Sequence, residues 1–162
     1  MKSSFIIVFI CVCVGISSSF ADTFVDICKR GRIGLKIKQI TGAASCKQVS
    51  SEKMAEINKL SLEYEDISSI GDYAFSGLIS LKEINLSSNL LKSISKHTFA
   101  GLISLEKINL SYNDISNIEL NAFQDLTSLK EINLSYNLIE SISISELGLS
   151  ENVLIRGVAI NP

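Results

Sequence analysis

Apolar residues recur along this chain every 24 positions, and that spacing constrains the fold more than any other feature. Segments beginning at Ile57, Leu81, Leu105 and Leu129 place Leu or Ile at matching offsets, and a shorter remnant begins at Val153. The second segment runs through Leu81, Ile84, Leu86, Asn89, Leu91 and Ile94, then Phe99 and Leu102. One such unit is too small to bury its own apolar face. Several units stacked in register share a continuous core, so the period predicts a solenoid.

Within each unit the local periodicity changes. Ile84, Asn85 and Leu86 alternate apolar with polar, which predicts a short strand with successive side chains on opposite faces. Stacked turns then set equivalent strands side by side, about 4.8 Å apart, as a parallel sheet. Glu83, Asn85 and Ser87 are expected on its outer surface. Leu91, Ile94, Phe99 and Leu102 follow at wider, uneven spacings, which suits an irregular or short-helical return arc.

Residues 1–21 stand apart from this pattern. Lys2, the apolar run from Phe5 to Ile16 and the closing Ser19-Phe20-Ala21 have the form of a secretory signal peptide cleaved after Ala21. The apolar core is shorter than the ~20 residues that a membrane-spanning helix requires. The expected product is secreted and extracellular, with no membrane insertion after signal removal. Its expected organisation is an N-terminal cap over residues 22–56, four repeats over 57–152 and a degenerate terminal repeat over 153–162.

Charge is divided between these parts. Residues 22–50 hold six basic and two acidic side chains, whereas residues 51–162 hold eight basic and fifteen acidic. Lys29, Arg30, Arg32, Lys36 and Lys38 form a basic cap beside an acidic array. No aromatic residues interleave with them in the way nucleic-acid stacking requires, so they read as a solvated face, and nucleic acid is not expected as a partner. Cys11 and Cys13 lie in the leader, which leaves Cys28 and Cys46 as the pair exposed to an oxidising compartment. They are expected to form a disulfide, worth roughly 3 kcal/mol in the chain-entropy account. Two cysteines without nearby histidines cannot complete a zinc site, so no metal and no cofactor is expected.

The repeats resemble the typical 24-residue extracellular class of leucine-rich repeats. The full motif is Leu105, Ile108, Leu110, Asn113, Ile115, Ile118, Phe123 and Leu126, and three repeats match it closely. The first repeat carries Glu65 at the Asn position; the fourth has Leu147 for the late Phe and Ser150 for the last Leu. The resemblance implies an α/β solenoid, a short arc with a concave parallel β-sheet and an irregular or short-helical convex side. It implies that Asn89, Asn113 and Asn137 form a structural asparagine ladder at the bends, that Phe75, Phe99 and Phe123 stack in the core, and that Cys28 to Cys46 takes the place of a cysteine-rich cap. Extending the period to the end aligns Asn161 with Asn137 and sets Arg156 at an inward position.

Proteins of this kind bind through the concave strand face. Two columns of charge cross it here: Lys59, Glu83, Lys107 and Glu131, and beside them Asn58, Lys82, Glu106 and Lys130. Alternating signs predict lateral pairing worth about 0.2 to 1 kcal/mol per pair, so the face partly neutralises itself. Glu83, Lys107 and Glu131 stay candidate partner contacts, together with Tyr64, Tyr112 and Tyr136 just past the strands, since tyrosine joins apolar area to a hydroxyl. Asn85, Asn109 and Asn133 each open an N-glycosylation sequon, copied with the repeat. Strand spacing leaves room for glycans at one or two of the three at most.

Nothing in the chain reads as catalytic. His97 has no partner encoded nearby, there is no phosphate-binding glycine loop, and the carboxylates follow the repeat instead of pairing as acid and base. The expected function is a secreted, non-catalytic protein-binding module whose partner is an extracellular receptor or its ligand. By analogy with similar proteins it would act as a soluble decoy or modulator of innate-immune receptor signalling, or as a secreted salivary or venom effector. A structural, self-associating matrix protein is the competing expectation.

Overall fold

The computed structural model describes residues 31–45, 49–158 and 160–161. The expected signal peptide and the Cys28–Cys46 pair lie outside the described residues. The observed fold is a solenoid of parallel strands, as the period predicts. Among the described residues two helices come first: α1 (Arg32–Thr41) and α2 (Ser51–Ala55). The strands of the main sheet are β1 (Lys59–Ser61), β2 (Glu83–Asn85), β4 (Lys107–Asn109), β6 (Glu131–Asn133) and β8 (Leu154–Arg156). They pair in that order, all parallel. On the opposite side β3 (Ser93–Ile94) pairs with β5 (Asn117–Ile118), and β7 (Ile142–Ser143) with β9 (Ile160–Asn161). A single helical turn, α3 (Ile144–Leu147), follows β7.

Each strand of the sheet is short because only its central residue points inward. Leu60, Ile84, Ile108 and Ile132 occupy one register row and are buried, while the residues on either side face out. Behind them Leu62, Leu86, Leu110 and Leu134 form a second row without measurable exposure. The phenylalanines close the core on the convex side. Phe75 and Phe99 stack with ring centroids 5.8 Å apart, and Phe99 and Phe123 at 5.7 Å. Leu147 is fully buried next in line, its carbonyl accepting from the Phe123 amide at 3.1 Å. A capping box between Ser143 and Glu146 holds that turn in place.

The N-terminal end of the stack is covered by α1 and α2. Ile33 and Ile37 lie four residues apart on one face of α1 and join the core with Met54 of α2. Gly42 ends α1 in the left-handed conformation at φ 65°, its amide donating back to the Gln39 carbonyl. Ser50 caps α2, its hydroxyl accepting from the Lys53 amide at 3.3 Å. Two cap cations reach the first repeat: Arg32 lies 3.4 Å and Lys36 3.6 Å from Glu65. The residue that departs from the Asn of the other turns thereby ties the cap to the array.

The last turn corrects two expectations. Glu131 pairs with Leu154, a step of 23 residues, so Ile155 and not Arg156 stands beside Ile132. A slip of one residue exchanges the two faces of a strand, and burying an arginine is far costlier than burying an isoleucine. Arg156 therefore sits on the outer face, its Nε 2.7 Å from Glu131 Oε1. Gly157 follows β8 directly, as Leu134 follows β6, but is exposed where Leu134 is buried. Its φ is +86°, and a Cβ there would come within 2.1 Å of Ser135 Cα. Asn161 is likewise displaced from the asparagine position, because its backbone pairs with Ser143 on the convex side. Among the described residues no helix is long and apolar enough to cross a membrane.

Candidate protein-recognition surfaces

The sheet register sets the polar rows of the concave face side by side: Lys59, Glu83, Lys107 and Glu131 in one, Ser61, Asn85, Asn109, Asn133 and Arg156 in another. Lys59 pairs with Glu83 at 2.9 Å, and Glu131 with Arg156 at 2.7 Å. In the adjoining column Glu106 receives Lys82 at 3.7 Å and a short hydrogen bond from Lys130. The Lys130 hydrogen bond, with the ammonium charge behind it, holds the Glu106 carboxyl below the usual glutamate range. Lys107 is exposed and has no ion pair among the described residues, since both glutamates beside it are engaged elsewhere. Pairing thus leaves one cation in the middle of the face.

At the end of each strand the chain bends inward around an asparagine. Asn113 Nδ2 donates to the carbonyls of Leu86 at 3.0 Å, Leu110 at 3.0 Å and Ser111 at 3.2 Å, and its Oδ1 accepts from the Leu91 amide at 3.1 Å. Asn89 donates to Leu62, Leu86 and Ser87 and accepts from Glu65 and Ile67; Asn137 donates to Leu110 and Leu134 and accepts from Ile115. Each amide therefore spans neighbouring turns and satisfies backbone groups that the bend would strand. These side chains are consumed by the scaffold.

The sequon asparagines lie along the outer face, half-buried. Asn85 Oδ1 accepts from the Ser87 amide at 3.0 Å and its hydroxyl at 2.7 Å, and Asn109 holds Ser111 in the same way at 3.1 and 2.8 Å. Ser87 and Ser111 turn inward here, at 3% and 5% exposure, so Ser87 is not on the outer face as strand alternation alone predicts. The strand has already ended at Asn85, and the turn that follows reorients the serine.

A second surface runs along the margin beyond the strands. Tyr64, Ser88, Tyr112 and Tyr136 occupy one position in successive turns, with φ of 57°, 55°, 54° and 58°. The left-handed conformation is uncommon for residues with a bulky side chain. It recurs because each bend is tied to the next: Tyr64, Ser88 and Tyr112 donate their amides to the carbonyls of Ser87, Ser111 and Ser135. The bend throws the side chains outward. Tyr64 is 75% exposed, Tyr112 56% and Tyr136 70%. Tyr112 and Tyr136 stack with centroids 4.3 Å apart and planes 11° from parallel. The hydrogen bond that the Tyr112 hydroxyl donates to Tyr136, chiefly, raises the Tyr112 phenol above its ordinary value. Exposed Leu90 and Leu138 lie two residues further on in their turns.

His97 stacks on Tyr73 at 5.3 Å, on the opposite side of the core from the sheet. Among the described residues no group of three or more His, Cys, Asp or Glu side chains is placed to hold a metal. Sequence reasoning missed two parts of these surfaces. Ser88 belongs to the tyrosine column, which aligning the repeats reveals. Arg156 belongs to the charged face, which the alignment hides until one residue is deleted.

Comparison with known proteins agrees with this geometry. The family model described as leucine rich repeat matches residues 55–115 and 103–154. An internalin from Listeria monocytogenes is similar in structure, with a TM-score of 0.52 and 23% identity over 72% of this chain and 40% of that one. The Drosophila Toll–Spatzle complex, in its glycosylated form, gives 0.50 and 18% over 70% and 23%. The leucine-rich repeat domain of APL1B gives 0.49 and 22% over 62% and 29%. The chain spans two-fifths or less of each of these solved chains. No curated protein matches it. With 24-residue turns, a parallel inner sheet and the matched segments together covering residues 55–154, the chain belongs to the leucine-rich repeat family.

Proposed function

We propose that this protein is a secreted, non-catalytic binding module that recognises an extracellular protein through the tyrosine margin and the adjoining concave face. Leucine-rich repeats are protein-interaction modules, and the observation that carries the finer reading is the column of exposed, outward-held tyrosines. Rigid aromatic side chains with a polar tip cost little entropy to immobilise and recur as interface anchors. The concave charges supply less: Glu83 and Glu131, paired with Lys59 and Arg156, attract a highly charged partner only weakly and serve register more than affinity, while Lys107, without an ion pair among the described residues, is left as the face's contact. The partner is a receptor or its ligand, and the protein acts as a soluble decoy or modulator of its signalling, including as an effector released in saliva or venom.

The leader from Lys2 to Ala21 supports secretion. Expression in secretory cells is expected to yield medium protein whose N-terminus is Asp22. Affinity capture from extracellular extract, followed by titration of the captured protein, tests recognition. Tyr64→Ala, Tyr112→Ala and Tyr136→Ala together are expected to weaken binding by about 2 kcal/mol or more. Unchanged affinity in that triple variant rejects the tyrosine margin as the contact.

A further inference from the structure

The tyrosine column is interrupted once. Tyr112 and Tyr136, one turn apart, are stacked, whereas Tyr64 is separated from Tyr112 by the turn that carries Ser88. The four bends are in register, so the backbone positions of Tyr64 and Tyr112 are two strand spacings apart, about 9 to 10 Å. Among the described residues no ring stacks on Tyr64. A planar group needs about 3.5 Å of clearance to each ring face, roughly 7 Å in all. Two side chains as exposed as Tyr64 and Tyr112 can lean together over the difference.

Acidic residues frame the same gap. Asp66 and Asp114 occupy the next outward position of their turns, one on each side of Leu90, as Tyr64 and Tyr112 stand on each side of Ser88. Both are exposed. Asp114 has no ion pair among the described residues, and Asp66 has a long one to Arg32 at 3.9 Å. The margin is thus left unneutralised on its Asp114 side and only loosely paired at Asp66, and residues 51–162 as a whole carry fifteen acidic against eight basic side chains.

We infer that the gap over Ser88 is a binding slot for an arginine side chain of the protein partner, its guanidinium sandwiched between Tyr64 and Tyr112 and neutralised by Asp66 and Asp114. A guanidinium is flat, weakly hydrated and always charged, so it satisfies the two rings and the two carboxylates at once. A lysine ammonium is compact and strongly hydrated, and stacks less well. The inference rests on the reading of the tyrosine margin as a protein contact.

The test is fluorescence polarisation of labelled hexa-arginine and hexa-lysine peptides against the full chain at low salt. Hexa-arginine is expected to bind the tighter of the two. Ser88→Tyr fills the slot with the residue that three sister turns already carry at the same φ, and is expected to weaken hexa-arginine binding about tenfold, as is Asp66→Asn with Asp114→Asn. Ser88→Ala leaves the slot open and is expected to bind like the parent chain. Equal affinity for the two peptides, or a Ser88→Tyr chain that binds hexa-arginine as the parent does, overturns the slot. A captured partner that is released by the triple tyrosine variant but retained by Ser88→Tyr overturns the slot and leaves the contact surface standing.

Discussion

Single residues in this protein carry either the scaffold or the surface, and burial separates the two. Asn113, 6% exposed, has both ends of its amide committed to backbone groups of neighbouring turns. Asn113→Ala strands the Leu91 amide and several carbonyls in the interior, and is expected to destabilise the fold by about 2 to 4 kcal/mol in chemical denaturation. Glu106 is the contrasting case. Its carboxyl is held below the ordinary glutamate range by Lys130, so whatever stability the pair contributes is present above the unfolded-state pKa and lost as pH falls through the folded one. Carboxyl NMR titration is expected to find Glu106 titrating below the usual value and moving back up in Lys130→Ala. Because both partners face solvent, raising the salt concentration is expected to shrink the difference.

At the scale of the element, each turn is specified by a few positions and the last turn shows what happens when one is missing. The inward row Leu60, Ile84, Ile108 and Ile132 was legible from spacing alone, because apolar residues at a fixed offset have one way to be buried together. The step from Glu131 to Leu154 was not, since the period extrapolated to Arg156 and only the cost of burying its charge moved the register. Gly157 makes that register possible by packing against the Ser135 backbone with a left-handed φ. Gly157→Ala is expected to cost about 2 kcal/mol or more, and hydrogen exchange should show the loss confined to β8 and the segment after it.

For the whole molecule, stability is shared between neighbouring turns, because each turn buries its apolar face only against the next. Phe99 stacks on both Phe75 and Phe123, whereas the terminal turn has a described neighbour on one side. Phe99→Ala is expected to lower stability by about 3 to 5 kcal/mol and to split a single thermal transition into two, as calorimetry would record, by uncoupling the turns before and after it. The cap belongs to this scale too. Arg32 and Lys36 read from sequence as part of a solvated basic face, and folding brings them to Glu65, two positions that no local pattern connects.

The amino-acid sequence by itself determined the repeat, the strand face, the core rows and the bend asparagines, because periodic burial and backbone satisfaction are local demands written into spacing. Tertiary structure alone decided that Arg156 and the cap cations join the charge pairing, where the last strand slips, and that the tyrosines sit at left-handed bends. Those outcomes depend on distances between turns and on the balance of desolvation against register, quantities that arise only once the chain has coiled back beside itself.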